Sequence, residues 1–86
     1  GYKLFQNYPN PFNPVTFINY QLPKSSNVKI SIYDVLGKQV NILVNEVQNA
    51  GNHNIEWNAV NSPSGVYFCR LDAGLFVSVK KMLLMK

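Results

Sequence analysis

The sequence predicts an all-β domain, two antiparallel sheets packed face to face, and three observations carry that prediction. Apolar and polar residues alternate with a period of two through Thr16–Leu22, Val28–Tyr33, His53–Asn58 and Val66–Leu71, the pattern of half-buried strands. Turn-forming residues punctuate these runs at intervals of roughly 8 to 15 residues, the spacing of short-stranded all-β domains. No stretch sustains the 3.6-residue period of an amphipathic helix. Six strands are expected, with a seventh at the N-terminus, and two packed layers are how that many half-apolar strands bury their faces.

The chain of 86 residues is long enough for one core, and 47% apolar residues are enough to fill it. Only 14% of residues are charged, whereas asparagine occurs twelve times, mostly between the apolar runs. That balance suits an extracellular β-domain. The net charge of +4 is spread thinly except near the end of the chain. A nucleic-acid module would carry a denser basic face with interleaved aromatics, so none is expected. No apolar run approaches the roughly 20 residues of a membrane-spanning helix. The opening Gly-Tyr-Lys-Leu-Phe is no signal peptide, so in an exported protein this chain is expected to be part of a longer precursor. Cys69 is the only cysteine, which leaves no internal disulfide and no zinc site.

Taken in order, residues 1–14 form a Pro/Asn-rich lead-in with a short edge strand at Leu4. Residues 15–86 form the sandwich. Pro9, Pro11 and Pro14 exclude helix and hold the residues before them extended or turned. Thr16, Ile18, Tyr20 and Leu22 share one face of the next strand, and Pro23 ends it before a polar turn at Lys24–Asn27. Val28, Ile30 and Ile32 alternate with Lys29, Ser31 and Tyr33. Asp34-Val35-Leu36-Gly37 then has Asp first and Gly last, as a type I turn requires, and Gly37 can close a hairpin through a bulge. The returning run, Gln39–Val44, breaks strict alternation, which predicts a bulge near Ile42. Asn45–Asn52 reads as a loop by composition. His53, Ile55 and Trp57 share the inner face of a strand, with Trp57 in the core and His53 a hydrogen-bonded structural residue. Asn61–Gly65 is a loop. Tyr67, Cys69 and Leu71 face inward on the following strand, with Arg70 outward. Tyr67, two residues after Gly65, resembles the corner tyrosine that anchors a crossing loop in immunoglobulin-like sandwiches. Asp72-Ala73-Gly74 turns the chain into the last strand, Leu75–Met85. Its nearly continuous apolar character predicts burial on both faces, or a final strand slotted between neighbours.

Several segments together resemble one family. Leu4–Pro14 with its Tyr8-Pro9-Asn10-Pro11 core, Ile32–Val40 with Asp34, Gly37 and Lys38, Ala50–Asn58, Ser64–Leu71 with Gly65, Tyr67 and Arg70, and Lys80–Lys86 with Lys81 and Lys86 follow the order of C-terminal sorting domains (type A) of the type IX secretion system. Those domains are in turn similar to the immunoglobulin-like domain of flagellar hook-capping proteins. Cys69 stands where an aromatic or other apolar residue is usual, and the loop Ala59–Ser64 is shorter than in many relatives. The resemblance implies an immunoglobulin-like antiparallel sandwich of about seven strands that serves as a non-catalytic export label. It implies a cargo fused on the N-terminal side, passage through the periplasm, and a destination outside the cell or on its surface. The implied partners are the outer-membrane translocon and a sortase-like peptidase that removes the label in many cases. The implied recognition residues are Pro9, Asn10, Pro11, Asp34, Gly37, Lys38, Gly65, Tyr67, Arg70, Lys81 and Lys86.

Other functions have weaker grounds in the residues themselves. The four carboxylates, Asp34, Glu46, Glu56 and Asp72, and the single His53 offer no second acid/base site, and the two aspartates sit in turns where backbone capping explains them. No nucleophile motif or phosphate-binding loop is present, so neither catalysis nor a cofactor or metal is expected. The rival reading is an accessory immunoglobulin-like module for carbohydrate or cell-surface adhesion. It would need an exposed aromatic platform, for which Phe12, Phe17, Phe68 and Phe76 are the candidates.

Overall fold

A computed structural model describes residues 1–86, and in it the alternating runs become seven strands. They are β1 (Lys3–Leu4), β2 (Val15–Leu22), β3 (Ser26–Tyr33), β4 (Gln39–Gln48), β5 (Gly51–Asn58), β6 (Gly65–Ala73) and β7 (Phe76–Leu84). A three-stranded sheet has the order β1-β2-β5, and a four-stranded sheet has the order β4-β3-β6-β7. Every pairing within them is antiparallel. The expected sandwich is therefore the observed one.

The inner faces are those read from the alternation. Thr16, Ile18, Tyr20 and Leu22 are buried, as are Val28, Ile30 and Ile32, then Tyr67, Cys69, Leu71 and Ala73. Trp57 is only 2% exposed. Its ring centroid lies 5.5 Å from that of Phe12 and 5.3 Å from that of Tyr67, the latter edge-to-face, the arrangement aromatic quadrupoles favour.

The bulge expected near Ile42 is a pair that brackets it. Register slips between Ile30 and Ser31 and again between Ile32 and Tyr33, leaving Leu43 and Val40 as the extra residues. Each slip reverses the face presented afterwards. That is why Val44 is buried while Ile42, two residues away, is exposed.

Three expectations fail, each for a tertiary reason. Asn45–Gln48 is strand rather than loop, and the reversal into β5 occupies only Asn49 and Ala50. β4 is a sheet edge, where polar side chains face water and guard against stray pairing. β7 is not slotted between neighbours: it is the opposite edge, and only Met82 and Leu84 of its nine residues are fully buried. The turn before it is Gly74-Leu75, with φ of +58° at Gly74 and no positive φ at Leu75. Glycine first is the requirement of a two-residue type II′ hairpin.

Candidate functional site

The hairpin at the end of β3 closes through bonds within five residues. Gly37 N–H donates to the Asp34 carbonyl at 3.1 Å, and Asp34 N–H donates to Lys38 O at 3.0 Å. One carboxylate oxygen of Asp34 accepts from both Leu36 N–H and Lys38 N–H at 2.9 Å. Gly37 has φ of +81°, a conformation that costs most residues steric energy but not glycine. The carboxylate of Asp34 is thus spent on the turn.

The proline-rich lead-in is built differently. Leaving β1, it pairs briefly with β2 through reciprocal 3.0 Å bonds between Tyr8 and Phe17, then crosses to the other sheet. There it lies along the outer edge of β7 in parallel, bridging Phe12 to Leu84. Phe12 N–H donates to Leu83 O, and Met85 N–H donates to Phe12 O, both at 3.0 Å. The side chain of Asn10 accepts Leu83 N–H at 2.9 Å, and that of Gln6 donates to Lys81 O at 2.7 Å. A polar knot holds the crossing in shape. Thr16 donates its hydroxyl to Pro9 O at 2.8 Å and accepts from the buried Asn7 amide at 3.0 Å. Sequence reasoning places Thr16 on the inward face of its strand but gives it no polar partner, and it does not single out Asn7. A polar Thr at an inward-facing position near the start of β2 is the available signal, and its partner lies nine residues upstream.

The loop preceding β6 is pinned twice. Tyr67 donates its hydroxyl to Pro63 O at 2.6 Å, the corner-tyrosine contact expected from its spacing. Lys86 donates from its ammonium to Val60 O at 2.6 Å and from its backbone N–H to Ser64 Oγ at 2.9 Å.

These details place most of the sequence-predicted residues at one end of the sandwich, where the β3–β4 turn, the loop before β6, the end of β7 and the lead-in meet, whereas Arg70 lies mid-sheet across from Ser31 and Val79. Asp34, Lys38 and Tyr67 line an open cleft of about 460 Å³ with Trp57 at its floor. Asp34, Gly37 and Arg70 line a second groove of about 270 Å³ on the outer face of the four-stranded sheet, beside Tyr33, Phe68 and Val79. Pro9, Asn10 and Pro11 form the strap over β7, and Gly65 pairs with Leu84 beneath it. Lys81 is exposed on the outer face, across from Phe68. Arg70 forks onto Asp72 at 3.0 Å.

The four phenylalanines do not assemble into a platform. Phe12 is 3% exposed and sits in the core. Phe76 stacks on Tyr2 at 5.3 Å, and Phe17 and Phe68 belong to different sheets. His53 lies against the Tyr20 ring at 5.2 Å and bonds Asn49 O at 2.7 Å, a structural role. Tyr20 donates its hydroxyl to the side chain of Gln48, stitching the two sheets together. Burial pushes the Cys69 thiol up to about 12.

Seven strands in two antiparallel sheets, with turn, loop and strap meeting at one end, make this an immunoglobulin-like β-sandwich domain. Residues 6–85 match the family described as the secretion system C-terminal sorting domain, and the chain belongs to that family. It is a sorting signal of type IX secretion, whose carriers cross the outer membrane to the cell surface or the surroundings. Among solved structures the fold is similar to part of PorZ, described as an essential bacterial surface component of the type-IX secretion system of Porphyromonas gingivalis, with a TM-score of 0.65 and 17% identity. The whole of this chain is covered in that comparison, but only 12% of PorZ. No curated protein matches the chain.

Proposed function

We propose that this domain is a folded, non-catalytic address label read by the outer-membrane translocon, with its cargo attached on the N-terminal side. After passage, a sortase-like peptidase separates label from cargo. The recognition surface is the motif end: Pro9, Asn10, Pro11, Asp34, Gly37, Lys38, Gly65, Tyr67, Arg70, Lys81 and Lys86. One observation supports this reading above the rest. Gln6 and Lys81, 75 residues apart in sequence, are in hydrogen-bond contact, so the first and last motifs form one surface only after folding.

The test reverses charge at two motif positions. Charge reversals on a surface usually change stability by less than about 0.5 kcal/mol, and Lys81 makes no ion pair. Lys86 gives up one bond to Val60 O, a net cost of about 1 kcal/mol. Lys81→Glu with Lys86→Glu is therefore expected to melt close to the parent while lowering the surface-to-periplasm ratio of a fused reporter in a type IX-competent host. Normal export with normal melting removes both lysines from the recognition surface. Loss of export and melting together assigns them a structural role.

A further inference from the structure

The four-stranded sheet has two long edges, and they are guarded unequally. β4 is interrupted by two bulges and carries Glu46, devices that twist an edge out of register and repel partners. β7 has no bulge, its register with β6 running unbroken from Ala73↔Phe76 to Gly65↔Leu84. The strap covers only its second half, through Lys81 O, Leu83 and Met85. Leu83 and Lys81 turn those groups off the edge, so the same parity aims the N–H and C=O of Val77 and Val79, and the N–H of Lys81, into solvent. Val77 and Val79 are each 50% exposed. This edge is bare, straight and β-branched.

Its unpaired charge is one-sided as well, because the carboxylate beside it, Asp72 across from Val77, is held by Arg70. Lys80 and Lys81 lie on the edge, and Lys3 lies on the adjoining β1, its ammonium 4.6 Å above the Phe5 ring. The chain's one salt bridge is Arg70–Asp72, so all three lysines lack a carboxylate partner. Glu46 and Glu56 lie on β4 and β5, which border the opposite side of the sandwich. Lysine alone would serve to blunt an edge. Here, however, backbone from the strap already adds to the same edge two residues further on.

We propose that the bare part of β7, from Phe76 to the N–H of Lys81, is a docking edge for an extended acidic segment of the export machinery, added as a fifth strand. Backbone bonds to Val77, Val79 and Lys81 supply affinity, as in β-augmentation generally. Specificity comes from apolar side chains beside Val77 and Val79 and carboxylates within reach of Lys80 and Lys81. Assigning the strand to that machinery rests on the sorting reading above.

The probe is a synthetic eight-residue peptide alternating valine and glutamate, with a valine–lysine peptide as its counterpart. On titration into the 86-residue protein, the amides of Val77, Val79 and Lys81 are expected to gain exchange protection. Val79→Pro removes an outward N–H and no ladder bond, and it is expected to weaken binding at least tenfold. Should that variant unfold, Lys80→Glu with Lys81→Glu decides by the same tenfold criterion. Protection mapping to β4 or β5, equal binding of the lysine peptide, or undiminished binding by a folded variant overturns the proposal. Dimerisation through this edge without peptide overturns it in favour of a second copy. A domain that exports a reporter yet ignores the acidic peptide sinks the docking edge alone. One that binds the peptide but exports nothing sinks the sorting reading, and with it the assignment of the strand to that machinery.

Discussion

The hairpin tip and the proline-rich strap sit at the same end of the molecule, yet they are held by opposite means. The tip, Asp34–Lys38, satisfies its own backbone: one carboxylate and one glycine suffice, and no bond reaches beyond four residues. The strap, Gln6–Phe12, has only two side-chain bonds within itself, Gln6 to Asn7 and Asn7 to Pro9 O, and no backbone closure. Its partners are Lys81, Leu83 and Met85 at the far end of the chain, with Thr16 and Trp57 beneath it. The tip is therefore expected to survive damage to the core that the strap does not. Loop closure over so long a separation is entropically costly, and only burial of Phe12 and several simultaneous bonds offset it.

The largest effect tests that difference directly. Trp57→Ala removes the ring that Phe12 and Tyr67 pack against and is expected to cost about 4 kcal/mol. In hydrogen exchange, the amides of Phe12, Leu83 and Met85 should lose protection before those of Leu36 and Lys38. Equal loss at both sites would show one cooperative unit rather than two kinds of anchorage.

Alkaline pH probes the core that both regions share. The Cys69 thiol is raised from its ordinary value to about 12, and burial also raises the Tyr20 hydroxyl. The folded state therefore holds the thiol proton after the unfolded chain has released it. That contribution is complete below about pH 9 and falls by about 1.4 kcal/mol per pH unit as pH rises toward 12. Denaturant melts across that range should show the decline, and Cys69→Ala should flatten it. Thiol reagents should label the native protein slowly, and rapid labelling would contradict the inward face of β6.

Thr16→Val targets the strap's polar knot without altering its shape. It leaves Asn7, buried at 3% exposure, short of one acceptor, an expected loss of about 1–3 kcal/mol by urea unfolding. A neutral result would mean the knot adds nothing to the strap's bonds with Phe17 and β7 and the burial of Phe12. Gly37→Val strikes the tip instead, where a β-branched residue resists φ of +81°. A cost of at least about 1 kcal/mol is expected, with strap amides still protected. Unchanged melting would mean the tip can relax into another turn. The smallest effect is expected at Arg70→Ala, because its pairing with Asp72 is exposed to solvent and screened by it. Double-mutant cycles with Asp72→Ala measure it.

Much of this molecule was legible because the deciding interactions are short-range along the chain. The inward faces of β2, β3, β5 and β6 follow from period-two alternation, since pleating alone sends successive side chains to opposite sides. The Asp34–Gly37 turn and the Tyr67–Pro63 tie lie within four residues, so their residue types announce them. The burial of Cys69 follows from its parity with Tyr67 and Leu71. What the tertiary structure decided is which strands lie at edges and what covers them. Asn45–Gln48 is polar because β4 has a neighbour on one side only, and β7 is apolar although it too is an edge. Phe12 and Asn7 are buried because the lead-in crosses between sheets. Composition reports how much water a residue tolerates, but the neighbour that excludes the water is chosen by pairings some 70 residues apart, which no local pattern of residues encodes.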